Sequence, residues 1–250
     1  MTLAFDVAVR AEAELGEGAT WDPATGRLLW IDILGARVHT YDPATGRRTV
    51  RRTEQHVGAV KPRAGGGLVL NLRDGVGLID PDDTFRWLHR EPVAGRRGND
   101  AAVLLDDVTV SNGTGWSPDG RLMYYIDTPT RRVDVFDHRE DGTISSRRPL
   151  AEIEEGAGFP DGLTVDADGC VWVALWDGGA VRRYTPDGEL DRVIELPVPR
   201  VTCCAFGGPG LTDLYVTTAR VGLASPPPLA GSLLVVPDAG RGLAPPAFAG

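Results

Sequence analysis

The chain has 250 residues, 42% of them hydrophobic, and a formal net charge of −9. This length fits one large all-β domain or two small ones, and the hydrophobic content is sufficient for a sizeable core. The acidic charge argues against nucleic acid and anionic membranes as partners, and no apolar run is long enough to cross a bilayer.

Short units that consist of a strand, a turn and a strand follow one another along the chain. Each unit opens on a loop residue and reaches a turn glycine eight or nine residues later. Helical periodicity is absent, and turn residues recur at this fixed offset. The opening residues and turn glycines are Glu17 and Gly26, Gly58 and Gly66, Asn112 and Gly120, Asp161 and Gly169, and Thr202 and Gly210.

The unit that opens at Asn112 has the clearest pattern. Its turn, Ser117-Pro118-Asp119-Gly120, combines a proline that presets φ with a glycine that accepts positive φ. The apolar run 122–126 then predicts a strand that is buried on both faces. The next segment, 132–135, alternates polar and apolar residues, which is typical of a half-buried strand.

Repetition every forty to fifty residues, with room for four strands per unit, predicts a β-propeller formed by a single domain, residues 1–250. A sandwich or a barrel is the alternative, but the shared register of the turns favours the propeller. A possible sixth opening loop at Asn99-Asp100 precedes Asn112 by only 13 residues. The chain therefore has either five blades or six with one incomplete. We expect the N-terminal strand, Phe5 to Val9, to complete the last blade beside Gly231 to Val236.

Several motifs in combination resemble the senescence marker protein/gluconolactonase/regucalcin family. They are LGEGATWD around Glu17, Asn99-Asp100, VSNGTGWSPDG around Asn112 and FPDGLTVDADG around Asp161. The closing unit PVPRVTCCAFGGPGLTDLYVTTAR also matches. The resemblance covers nearly the whole chain, and it implies a six-bladed propeller that hydrolyses sugar lactones. This chain departs from the family pattern after Asn99-Asp100, where about one blade of sequence is missing.

The resemblance also implies a set of site residues. Glu17, Asn112 and Asp161 match the family's ligands for one divalent cation, and Arg97 and Asn99 match residues that contact the substrate. Oxygen ligands suit Ca²⁺ or Mg²⁺, although Mn²⁺ and Zn²⁺ also accept carboxylates. Asp161, or a water that it orients, is a candidate general base for attack on a lactone carbonyl. The chain has no Gly-x-Ser-x-Gly motif that would supply a serine nucleophile.

The remaining chemical groups favour structural roles. The four histidines share no metal-ligand spacing. Cys203 and Cys204 adjoin an opening residue, but a buried strand thiol explains them better than a nucleophile does. Three cysteines, two of them adjacent, indicate no disulfide framework, which together with the lack of a secretory signal favours the cytoplasm. Trp21, Trp116 and Trp172 recur at related positions and are predicted to pack between blades.

Each candidate ligand also has a simpler interpretation. Asp161 with its glycine could form only a turn, Asn112 could cap a loop, and Glu17 could be a surface carboxylate. Two functions therefore remain open beside lactone hydrolysis: a propeller that binds a cation or small ligand without turnover, and a protein-interaction scaffold. The missing blade motivates the first of these. The sequence does not determine the oligomeric state.

Overall fold

The computed structural model describes residues 4–90, 105 and 108–249. Within these residues the chain forms five antiparallel sheets of four strands each. The strands are β1 (Asp6–Val9); β2 (Gly16–Asp22), β3 (Arg27–Asp32), β4 (Arg37–Asp42) and β5 (Arg47–Arg52) in blade 1; β6 (Val57–Pro62), β7 (Leu68–Leu72), β8 (Gly75–Ile79) and β9 (Phe85–Arg90) in blade 2; β10 (Ser111–Trp116), β11 (Leu122–Asp127), β12 (Arg132–His138) and β13 (Ile144–Glu152) in blade 3; β14 (Phe159–Val165), β15 (Val171–Trp176), β16 (Ala180–Tyr184) and β17 (Leu190–Glu195) in blade 4; and β18 (Val201–Gly207), β19 (Asp213–Thr218) and β20 (Leu233–Val236) in blade 5.

The protein is therefore an all-β propeller with five four-stranded blades, which decides between the two blade counts that the sequence allows. Its helical content in the described residues is one short 3-10 turn, Thr128–Thr130. Among those residues, no helix has the length and hydrophobicity needed to span a membrane.

Blade 5 joins the two ends of the chain. Strand β1 pairs antiparallel with β20, with Asp6 opposite Val235 and Val9 opposite Leu233. The predicted closure is confirmed. The N-terminal strand supplies the outer strand of the last blade, so hydrogen bonds rather than a covalent link join the first and last segments.

The turns between the first two strands of the blades have the predicted chemistry in four units. Gly26, Gly66, Gly120 and Gly169 all have positive φ, between 65° and 85°. In the third unit the amide of Gly120 donates to the carbonyl of Ser117 over 2.8 Å. In the fifth unit the positive φ falls on Gly208 and not on the predicted Gly210.

Hydrophobic clusters fill four of the junctions between neighbouring blades. One cluster each joins blades 1 and 2, blades 3 and 4, blades 4 and 5, and blades 5 and 1. Trp21 and Trp172 belong to these clusters, as the sequence predicted. Trp116 does not, because 43% of its surface is exposed.

His39 on β4 is buried and structural. Its ring stacks on Trp30 with centroids 4.6 Å apart, and neither ring nitrogen has a hydrogen-bond partner. Burial, and then the charge of Arg48, lowers the pKa of His39 from 6.5 to about 4. The imidazole is therefore neutral at physiological pH, whereas in the unfolded chain it is protonated below pH 6.5.

His39 should make the fold less stable in acid. Because its folded pKa lies below its unfolded pKa, stability falls as the pH drops from about 6.5 towards 4. Between pH 7 and pH 5 the wild type should lose about 2 kcal/mol more free energy of unfolding than His39→Phe, which keeps the stacked ring. Urea unfolding of both proteins at the two pH values measures this difference. Equal losses would show that His39 does not titrate differently on folding.

Candidate metal and catalytic site

Each inner strand is irregular at the residue that opens its unit. The pairing register shifts between Glu17 and Thr20 on β2, between Ser111 and Thr114 on β10, and after Pro160 on β14. The inner strands β6 and β18 have a shift at the same place. A bulge changes the direction of a side chain at the end of a strand. The repeated bulge thus places the opening residues of all five blades in equivalent positions around the channel.

Glu17 and Asp161 lie close enough to interact electrostatically. Asp161 is only 5% exposed, and none of the hydrogen bonds of the described residues ends on its carboxylate. Burial, and then the negative charge of Glu17, raises the pKa of Asp161 well above its ordinary value. A buried carboxylate beside a second carboxylate is costly unless a proton or a cation neutralises it.

Thr128 connects Asn112 to Pro160, the residue before Asp161. The side-chain amide of Asn112 donates to the Thr128 hydroxyl over 2.7 Å, and that hydroxyl donates to the carbonyl of Pro160 over 2.9 Å. These bonds hold the amide nitrogen Nδ2 of Asn112 against Thr128. The amide oxygen Oδ1 is therefore on the side of the amide group that faces away from Thr128. A role for Thr128 could not be predicted from the sequence, because the contact joins two different blades.

Glycines after the site residues allow the inner strands to approach closely. A Cβ atom on Gly113 would lie 2.6 Å from the amide nitrogen of Leu163 and 2.8 Å from the carbonyl of Asp161. A Cβ atom on Gly162 would lie 2.7 Å from Cys203 Sγ. All three distances are shorter than real contacts, so β10, β14 and β18 can pack this tightly only with glycine at these positions.

Two buried aspartates hold the segments that lead into β2 and β10. Asp32 accepts hydrogen bonds from the amides of Leu15 and Gly35, each over 3.0 Å. Asp127 accepts from the amides of Thr109 and Val110 over 3.1 and 2.8 Å. Asp32 follows Glu17 by the same number of residues as Asp127 follows Asn112, within the similar strand ends WID and YID. This repeated offset was a signal that the sequence analysis missed.

The donor set fits a hard divalent cation. Two carboxylates and an amide oxygen are the ligands that such ions prefer, and the raised pKa of Asp161 reflects its burial and the nearby charge of Glu17. Among the described residues, no group of three or more His, Cys, Asp or Glu side chains could hold a metal. Any ion at this place would therefore depend on Asn112 and on water beside the two carboxylates.

The other residues considered from the sequence have different outcomes. Arg97 and Asn99, the predicted substrate contacts, lie outside the described residues. Cys203 lies beside Gly162, and burial followed by the charge of Glu17 raises the pKa of its thiol to about 12. It is therefore a neutral thiol at physiological pH and a poor nucleophile, in agreement with the sequence analysis.

The fold defines the class: a β-propeller of four-stranded blades, in which the charge of Glu17 acts on the buried carboxylate of Asp161. The profile described as the SMP-30/Gluconolactonase/LRE-like region matches residues 15–104 and 97–220. The chain belongs to this family.

Curated relatives share about a third of their residues with the chain over most of their length. Regucalcin of Xenopus laevis is 31% identical, and the alignment covers 100% of this chain and 99% of the relative. A 6-deoxy-6-sulfogluconolactonase of Pseudomonas putida is 32% identical, with 97% of each protein covered. Pentonolactonase XacC of Haloferax volcanii is 32% identical, with 84% of each covered.

Solved structures agree with the fold. A calcium-binding protein, regucalcin, of Agrobacterium tumefaciens superposes with a TM-score of 0.93 at 26% identity, with 99% of this chain and 98% of that chain covered. The Xenopus laevis alignment extends over 297 positions, more than the 250 residues of this chain. The excess is about one blade in length, and the two segments matched by the family profile meet between blades 2 and 3.

Asp127 is not a proposed cation ligand, but removal of its carboxylate should still weaken cation binding. In Asp127→Ala the amides of Thr109 and Val110 lose their acceptor, which should cost about 2–4 kcal/mol of stability. Because Val110 is two residues before Asn112, cation affinity should also fall. Asp42→Ala, which removes similar turn bonds on blade 1, is the control for the loss of an aspartate alone.

Unfolding in chelator, and isothermal titration with Ca²⁺ or Mn²⁺, measure the two effects of Asp127→Ala. An unchanged cation affinity in a destabilised variant would limit Asp127 to a structural role.

Neutralising Asp161 should stabilise the metal-free protein. Its raised pKa means that the folded chain loses stability as the pH rises above about 3.9, where the unfolded aspartate ionises. At pH 8 in chelator, Asp161→Asn should unfold with a free energy higher by on the order of 1–3 kcal/mol. Addition of a divalent cation should stabilise the wild type and not the variant. If Asp161→Asn were less stable than the wild type in chelator, the inferred repulsion between Glu17 and Asp161 would be contradicted.

Proposed function

We propose that the protein hydrolyses a sugar lactone with the help of one divalent cation. The observation that carries this proposal is the buried Asp161 carboxylate, held beside Glu17 with a raised pKa. Such a pair at the entrance of a channel is typical of a functional site, because stability alone would select against it. The names of the lactonase relatives supply the substrate class.

Glu17, Asn112 and Asp161 are the proposed ligands. A bound cation would neutralise the two carboxylates and polarise a lactone carbonyl. Ca²⁺, Mg²⁺, Mn²⁺ and Zn²⁺ all accept these oxygen donors. Thr128 would orient the Asn112 amide, while Gly113 and Gly162 keep the three strands close enough for the side chains to meet.

Asp161 is the proposed general base. Its carboxylate would take a proton from a water molecule as the water oxygen forms a bond to the lactone carbonyl carbon. The ring carbon–oxygen bond then breaks, and the departing ring oxygen is protonated to give the open-chain hydroxy acid. Arg97 and Asn99 remain the proposed substrate contacts on the basis of their family motif alone.

Hydrolysis of gluconolactone, followed by proton release, tests the proposal. Protein treated with chelator should be inactive, and one of the four cations should restore turnover above spontaneous hydrolysis. Asp161→Asn should lower kcat by about 100-fold or more, the usual contribution of a general base. Asp187→Asn, at an exposed turn of blade 4, is the matched control and should retain activity.

The specific alternative is a propeller that binds a cation without turnover, and the chain's shortfall of about one blade favours it. Cation binding that depends on Asp161, with no hydrolysis of gluconolactone or of a panel of pentono- and hexonolactones, would establish this alternative and overturn the proposed activity.

A further inference from the structure

A cavity of about 760 Å³ occupies the channel beyond the carboxylate pair. Its walls begin two residues after each site residue, at Ala19 on β2, Thr114 on β10 and Leu163 on β14. The cavity also extends along the face of blade 2 that is turned towards blade 3. Its volume is in the range of pockets that hold small organic ligands.

The cavity is lined by inner-strand residues of all five blades and extends towards the junction between blades 2 and 3. In the part of the chain that the structure describes, no hydrophobic cluster joins these two blades, although one fills each of the other four junctions. On the blade 3 side, Met123, Tyr125 and Phe136 are covered by Leu105 and Val108.

Large apolar side chains are exposed to the cavity. Leu88 on blade 2 is 47% exposed and Trp116 on blade 3 is 43% exposed, and both line it. Val69, Val76 and Val165 contribute to the same walls. Apolar side chains that converge on one concave surface indicate a ligand with an apolar body.

The C-terminal segment closes the far side of this cavity. It is attached at one end where the Gly242 amide donates to the Leu211 carbonyl over 2.7 Å, and at the other where the Phe248 amide donates to the Pro62 carbonyl over 2.9 Å. The residues between these anchors, 243–247, all line the cavity. We call this cavity, which residues 243–247 bound at one end, the chamber.

Lys61 is the one charged side chain among the described residues that line the chamber. It lies on the inner strand β6, and none of the ion pairs among the described residues involves it. Asn71, on the neighbouring strand β7, also lines the chamber and can add a hydrogen bond. Lys61 is exposed to solvent, and its ammonium group beside apolar walls is complementary to one negative charge on an otherwise apolar molecule.

We propose that this chamber binds an amphipathic monocarboxylate. The carboxylate pairs with the ammonium of Lys61, and the hydrocarbon body packs against Leu88, Trp116 and Val69. This site is separate from the cluster of Glu17, Asn112 and Asp161, and it needs neither a cation nor lactone hydrolysis.

Octanoate is a suitable probe, and Trp21 and Trp116 in the chamber walls allow tryptophan fluorescence to report its binding. Titration at pH 7.5 in chelator should saturate with one octanoate per chain. Lys61→Met should weaken octanoate binding at least tenfold and leave binding of uncharged 1-octanol within twofold. Lys61→Arg is the matched control and should retain octanoate binding, because it keeps the positive charge.

Two further variants locate the ligand. Ala59→Phe places a large side chain on the chamber wall, so it should abolish binding of both octanoate and 1-octanol while circular dichroism confirms the fold. Asp161→Asn should bind octanoate as the wild type does. Failure to saturate, equal affinity of wild type and Lys61→Met, or loss of binding in Asp161→Asn would each overturn the proposal.

Discussion

The close approach of the inner strands is the constraint on which the rest of the structure depends. Gly113 and Gly162 allow β10, β14 and β18 to pack at distances that no side chain would permit. On the other side of the channel, the Thr202 hydroxyl donates to the carbonyl of Gly16 over 2.6 Å and joins β18 to β2. Because these strands are so near one another, the charges of Glu17 and Asp161 interact, and the fold itself creates the electrostatic conflict.

Residues next to the site keep Glu17 and Asp161 close together in spite of their repulsion. Asp32 and Asp127 fix the segments before β2 and β10 through backbone amides, and Thr128 joins Asn112 to the carbonyl of Pro160. These bonds resist the relaxation that would separate two buried carboxylates. The free energy that offsets this arrangement comes from the hydrophobic clusters between the blades.

The sequence predicted those features that repeat and those that are local. The recurring turn glycines led to the propeller, and the opening positions led to the predictions for Glu17, Asn112 and Asp161, of which the structure brings Glu17 and Asp161 within electrostatic reach of each other. Ring closure through β1 was predicted as well. The roles of Thr128 and Asp127, and the exposure of Trp116, were not, because each depends on which blades meet. The blade count also needed the structure, since a spacing anomaly fits a lost blade or an incomplete one equally well.

Closure of the ring by β1 has a consequence for how the chain folds. Strand β1, Asp6–Val9, is synthesised before all four blades that precede blade 5, yet its partner is Leu233–Val236 of blade 5. Blades 1 to 4 consist of consecutive strands and can form as they emerge, whereas blade 5 must wait for almost the entire sequence. Contacts of such large sequence separation form slowly. Until they form, β20 has an unpaired edge, and the nascent protein is most exposed to strand-mediated association at this stage.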